Sequence, residues 1–240
     1  MSRYLIVRLQ GLFQAWGRHT FETYRPTEVF PTRSGITGLL GACLGLKRTD
    51  FEALRALDLS YSYGVRVDGE REVFIGISDD GTPQKEWRGY TLSKLNDFHT
   101  AQNVRTVGGS NPKETEITHR EYLEDLCCTV AIAQRAENEY GLDRLREALQ
   151  NPCFTPFLGR RSCPLARPLL EDDIDAASLN HALLLIPPGF GTIYSEEPMR
   201  DDSVMMRVRD VPVFGRYRQF ETRYVYVSNV TKEEAHHVSQ

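Results

Sequence analysis

The sequence predicts an α+β fold in which helices cover one face of a sheet. Short β-rich apolar runs recur along the chain, a glycine-spaced helical segment follows the first of them, and a second, amphipathic helix precedes the last. With 240 residues and 40% hydrophobic content the chain can bury a sizeable core.

Residues 4–9 are β-rich and closed by Gln10-Gly11, so they read as a central strand that opens the fold. A helix is expected from Pro31-Thr32-Arg33-Ser34, which offers a capping hydroxyl, through to Leu46. Gly35, Gly38, Gly41 and Gly45 recur within it, and each interior glycine costs roughly 0.5–1 kcal/mol relative to alanine. Close approach of the helix backbone to a sheet or to another chain would compensate. Residues 59–78 read as a hairpin around Asp68-Gly69, a dipeptide favoured where a turn needs positive φ. Residues 79–118 are polar and turn-rich without sustained periodicity, so an extended arm is expected rather than an idle loop. Residues 126–133 alternate like a strand, and Leu142, Leu145, Ala148 and Leu149 mark a short helix stopped by Asn151-Pro152. Another apolar run, residues 181–187, ends at Pro187-Pro188-Gly189, residues 223–227 are β-rich, and residues 231–240 read as a disordered polar tail. The order strand, helix, hairpin, strand, helix, strand fits the split βαβ of the ferredoxin-like fold.

A formal net charge of −4 argues against a protein that coats nucleic acid through overall charge, so any such site must be local. No run approaches the roughly 20 apolar residues of a membrane span, and Met1-Ser2-Arg3-Tyr4 leads straight into a strand-like segment. A cytoplasmic protein without a membrane partner is expected. Five cysteines, at positions 43, 127, 128, 153 and 163, show no C-x-x-C spacing and read as reduced thiols. The glycines do not form the G-x-G-x-x-G fingerprint, and no cofactor or metal is expected.

Charge does separate locally. Residues 152–170 hold Arg160, Arg161 and Arg167 and no acid, while residues 205–220 hold Arg207, Arg209, Arg216 and Arg218 against Asp210 alone. The guanidinium fork suits phosphates and base edges better than an ammonium does. Three segments place arginine and aromatic residues among glycines and prolines: LIVRLQGLFQAWG (residues 5–17), RPTEVFPTRSGITGLLGACLGL (residues 25–46) and FTPFLGRRSCPLARPL (residues 154–169). In the second, Thr32 and Ser34 sit at a helix start, where unpaired amides and the helix dipole make an anion site bracketed by Arg25 and Arg33. Equally, Ser34 could simply cap the helix and Arg33 be solvated. Trp16 and Phe13 either stack on an unpaired base or bury against the glycine-rich helix. His19, His99, His119 and Tyr24 are conceivable acid–base groups, yet no pair has a diagnostic spacing.

RPTEVFPTRSGITGLLGACLG closely resembles the hallmark of the CasD family, the type I-E CRISPR Cascade subunit that caps the 5′ handle of the guide RNA. LQGLFQAWG looks like that family's first strand and glycine loop, and FLGRRSCPLARPL is similar to its third block. One departure is visible: the first loop often carries Gly-Pro, whereas Leu12 follows Gly11 here.

The resemblance implies a modified ferredoxin-like (RRM-like) domain over residues 1–230, with a long β-hairpin thumb at residues 79–118 and a β-rich C-terminal part. It implies a non-catalytic RNA-binding subunit of an antiviral ribonucleoprotein, in contact with the Cascade backbone subunit, the large subunit and, through the assembled complex, target DNA. A metal-independent endoribonuclease that processes precursor RNA is the alternative, because a sister subtype uses the corresponding subunit in that way. Residues expected at the RNA are Gln14, Trp16, Arg25, Thr32, Arg33, Ser34, Arg105, Arg160 and Arg161, with none catalytic and none metal-binding.

Overall fold

Strand β1 (Ser2–Gln10) is flanked on both edges, which explains why its apolar run is nearly continuous rather than strictly alternating. The computed structural model describes residues 1–18, 20, 23–104, 113–135, 139–201, 203–217 and 219–238. After β1 come four two-residue strands, β2 (Phe13–Gln14), β3 (Trp16–Gly17), β4 (Tyr24–Arg25) and β5 (Thr27–Glu28), then helices α1 (Arg33–Cys43) and α2 (Phe51–Ser60). Strands β6 (Tyr61–Asp68), β7 (Glu70–Ile77), β8 (Pro83–Gly89), β9 (Ser93–Val104), β10 (Lys113–Glu124) and β11 (Cys127–Gln134) follow. The remainder is α3 (Leu142–Gln150), β12 (Leu170–Ala176), α4 (Leu179–Leu185), β13 (Gly191–Ser195), β14 (Val204–Val213), β15 (Gln219–Val230) and α5 (Lys232–Val238). The result is a strand-rich mixed fold with few helices. Among the described residues no helix is long and apolar enough to cross a membrane.

Seven strands form one sheet in the order β12-β1-β11-β6-β13-β15-β14, antiparallel throughout. Alternation along β1 sends Leu5, Val7 and Leu9 to a core shared with α1, α2 and α3, and Tyr4 and Ile6 to a second core under α4. Helices therefore lie on both faces, not on one. The apolar run at residues 181–187 is the reason: capped by the Ser178 hydroxyl on the His181 N–H, it folds as α4 and buries Leu179, Ala182, Leu183 and Leu184.

The face under α4 also holds buried charge. Arg66 donates to Asp68 at 2.6 Å, to Thr129 and to the carbonyls of Leu183 and Ile186, while Arg8 reaches Asp68 at 3.0 Å and the Pro187 carbonyl at 2.8 Å. Such guanidinium groups are tolerated inside only because carboxylate and carbonyl partners replace water.

Asp68-Gly69 is not a hairpin turn. Strand β6 already has β11 on one edge and β13 on the other, so β7 leaves the sheet and pairs with β8 instead. Gly69 marks this corner because the Phe190 ring lies where its Cβ would stand, 2.4 Å away. Residues 79–118 then supply β8 and β9 and the start of β10, two hairpin arms with largely exposed side chains. The far end of the β9–β10 arm, with Arg105, Gly108-Gly109 and Asn111-Pro112, lies outside the described residues, as do His19 and Arg218. The expected disordered tail is instead helical at Lys232–Val238. Thr231 and Glu234 cap it reciprocally, each side chain accepting from the other's backbone N–H.

Candidate nucleic-acid interface

The three glycine- and arginine-bearing segments pack as one unit. The first and third interlock: Ala15 donates its N–H to the Leu158 carbonyl at 3.1 Å, and Ala166 to the Gln10 carbonyl at 2.9 Å. Gly159, at φ +84°, passes so close to the Ala15 carbonyl that a Cβ would stand 2.0 Å from its oxygen. The third segment also reaches the second, since Phe154 donates to the Ala42 carbonyl at 3.0 Å. Strands β3 and β5 join the first to the second at Trp16 and Glu28.

Gln14 and Trp16 lock this assembly from within. The Gln14 side chain donates to the Leu9 and Leu126 carbonyls and accepts from the Trp16 indole at 2.9 Å. Trp16 is 1% exposed and lies against Gly35, so of its two expected roles the structure shows burial, not an open stacking face. Phe13, half-buried, packs edge-on to Tyr122 at 5.9 Å.

The start of α1 differs from the expected open anion site. Thr32 is buried and accepts from the Gly35 N–H, while the Arg33 N–H donates to Asp210 at 2.7 Å, so the protein's own carboxylate takes the place foreseen for a phosphate. The Arg33 side chain turns inward to Asp58, Glu196 and the carbonyls of Asp58 and Tyr61, over the Tyr63 ring. Burial works against its charge, but Asp58 and Glu196 outweigh that and hold the guanidinium above its usual pKa. Arg33 is thus a structural cation.

What remains at the surface is a groove of about 160 Å³ lined by Gly17, Ser34, Gly35, Gly38, Phe157 and Gly159. A Cβ on Gly38 would meet nothing within 4 Å, so this part of α1 offers bare backbone to a visitor. Beside Gly159 stand Arg160 and Arg161. Arg161 is exposed, and half-buried Arg160 lies over the Tyr122 ring at 5.0 Å. Among the described residues its guanidinium makes one hydrogen bond, to the Arg25 carbonyl, stretched to 3.5 Å, and its buried Nη1 has no partner. Arg25 itself is half-buried, with its side chain 3.5 Å from the Thr20 carbonyl.

Two further residues belong here that the sequence reading missed. Parallel pairing of β4 with β10 sets Arg120 beside Arg25, and Tyr122 carries Arg160. His119-Arg120-Glu121-Tyr122 fall between the expected arm, residues 79–118, and the expected strand, residues 126–133, in a stretch to which no element was assigned. The same pairing sets His119 beside Tyr24, whose hydroxyl donates to Glu121; that bond raises the Tyr24 pKa. His99 instead meets Tyr122 at 3.0 Å and Asp97 at 3.2 Å. Among the described residues no group of three or more metal-ligating side chains occurs.

Residues 4–226 match the family described as "CRISPR-associated protein (Cas_Cas5)". The chain is 42% identical over 228 residues to the CRISPR system Cascade subunit CasD of Escherichia coli (strain K12), covering 95% of this chain and 96% of that one. In structure it is similar to a chain of a CRISPR RNA-guided surveillance complex, with TM-score 0.67 and 25% identity over 95% of this chain and 90% of that one. It also resembles a crystal structure of a Cas protein, with TM-score 0.60 and 26% identity over 96% of each chain. The extent of the match and the relative's identity settle the relationship: the chain belongs to the Cas_Cas5 family of CRISPR-associated proteins.

Proposed function

We propose that this chain is the subunit of a type I-E Cascade complex that binds the 5′ handle of the guide RNA and does not itself cut RNA. The carrying observation is the convergence of three distant segments on one groove of glycine backbone, with Arg160 and Arg161 following Gly159 of its lining in the chain and Arg160 reaching the Arg25 carbonyl. Bare backbone with flanking arginines is suited to an extended phosphodiester chain.

Strand order β12-β1-β11-β6, with α1–α2 and α3 as the two crossovers, supports a ferredoxin-like core, which β13, β15 and β14 extend. In this reading residues 1–230 act as one RNA-binding domain and residues 79–118 as a thumb that meets the backbone and large subunits. Target DNA is reached only through the assembled complex.

The neighbouring Tyr24 and His119 are the one feature favouring an endoribonuclease, and EDTA separates the readings. Labelled repeat RNA incubated with the protein in EDTA should be retained intact; cleavage would establish the enzyme instead. Arg25→Ala, Arg160→Ala and Arg161→Ala should each weaken retention and flatten its salt dependence by about 0.7 in log–log slope per lost phosphate contact. Unchanged retention and slope in all three would refute the site.

A further inference from the structure

Strands β14 and β15 end the sheet beyond the reach of α4, and their uncovered face has a composition of its own. Register sets Arg207 opposite Tyr224 and Met205 opposite Tyr226, and Arg207, Arg209, Phe220 and Thr222 line one shallow groove. Arg207 is exposed and its side chain has no hydrogen bond or ion pair among the described residues, and Tyr224 is 56% exposed. Arg209 donates to the Phe220 carbonyl at 3.0 Å, which holds its guanidinium over the groove.

The two acids of this hairpin do not neutralise that face. Asp210 is buried, bound to Arg33 and Arg223, and Glu221 alternates with Arg223 and Val225 onto the opposite side. Charged residues often guard an edge strand against pairing, which would account for arginines on β14. It would not account for the exposed Tyr224, which stands on the inner strand β15 directly across from Arg207.

We infer that this face is a second contact for single-stranded RNA, in which Arg207 and Arg209 hold successive phosphates and an unpaired base stacks on Tyr224. Arginines two residues apart on a strand stand about 7 Å from each other, a spacing along the strand that suits an extended backbone. Aromatic side chains on an open sheet accept any base, because every base has a π-face. A duplex would offer only its phosphates and leave Tyr224 unused. The inference rests on the RNA-binding reading above and adds a site on the other face of the sheet from α1.

The test uses the assembled complex carrying a guide RNA substituted with 4-thiouridine, followed by irradiation and mapping of crosslinked peptides. Crosslinks to the β15 peptide containing Tyr224 are expected, reduced at least fivefold in an Arg207→Ser/Arg209→Ser double variant, while crosslinks to the segment around Arg160 persist. Arg160-segment crosslinks without any on β15 would overturn this site alone; absence of both would overturn it together with the RNA-binding reading. Strong hydrogen-exchange protection of β14–β15 that survives nuclease digestion of the guide would assign the face to a protein neighbour. Crosslinking of β15 to a thiolated DNA strand only would assign it to DNA. Either result overturns the inference.

Discussion

The backbone N–H of Arg33 donates to the carboxylate of Asp210 at 2.7 Å, joining the start of α1 to the outermost strand of the sheet. The same carboxylate accepts from Arg223 at 2.7 and 2.9 Å, and the Arg33 side chain binds Asp58 and Glu196. Arg135 also donates to Glu196, so among the described residues six charged side chains form one network between α1, α2, the end of β11 and the β13–β15 extension. Arg33→Met removes the cation and leaves Asp58 buried without its ion pair, which typically costs about 3–5 kcal/mol. Urea unfolding should show a loss of that size; a loss below about 1 kcal/mol would show that Arg33 is replaceable.

Three glycines of α1 should respond differently to an added side chain. A Cβ on Gly35 would stand 2.7 Å from the Trp16 ring, which Gln14 fixes, so Gly35→Ala should lower stability by about 1–3 kcal/mol. Gly41 faces Leu54 at 3.0 Å, and Gly41→Leu should destabilise by a similar amount. Gly38 has open space, so Gly38→Ala should raise stability by roughly 0.5–1 kcal/mol while weakening guide binding. Thermal melts and filter binding separate these outcomes. A Gly38→Ala protein that binds normally would show that the groove stays vacant in the complex.

The β9–β10 arm should be weakly protected from hydrogen exchange in the free protein and strongly protected in the complex. Its side chains bury little, with Phe98 65% and Ile117 52% exposed, so ordering costs of about 1–2 kcal/mol per residue must be offset by partners. Equal, strong protection of residues 95–104 in both states would refute this.

At the base of that arm Glu121 accepts from the Tyr24 hydroxyl, the Thr27 N–H and Lys94. Burial disfavours its charge, but these bonds prevail and hold its carboxyl below the usual range. A lowered folded pKa means the stabilisation is present above the unfolded value, about 4.3, and is lost as pH falls through the folded one. The melting difference between wild type and Glu121→Gln should therefore shrink below about pH 4.3. A constant difference down to pH 3 would contradict it.

Of the five thiols only Cys153 is exposed. Burial pushes the Cys43 thiol up to about 12 and raises those of Cys127, Cys128 and Cys163. A thiol reagent at neutral pH should label one cysteine in the native protein and five in denaturant. Rapid native labelling at Cys127 or Cys128 would mean that β11 opens readily.

Local pattern alone located β1, α1, α3 and β11, because each is decided by periodicity and by caps or breakers within a few residues: Thr32 for α1, Asn151-Pro152 for α3. The family was legible as well, since its three segments are contiguous strings. β12 was not, because Leu170–Ala176 is an acidic edge strand whose pairing depends on β1, far away in sequence. Nor was the fate of Asp68-Gly69, which the partners of β6 decide. Among the arginines, composition marked Arg25, Arg33, Arg160 and Arg161 alike, and only the fold separates them. Whether a guanidinium is turned inward depends on carboxylates that can replace water around it, and those of Arg33 lie 25 and 163 residues away in the chain.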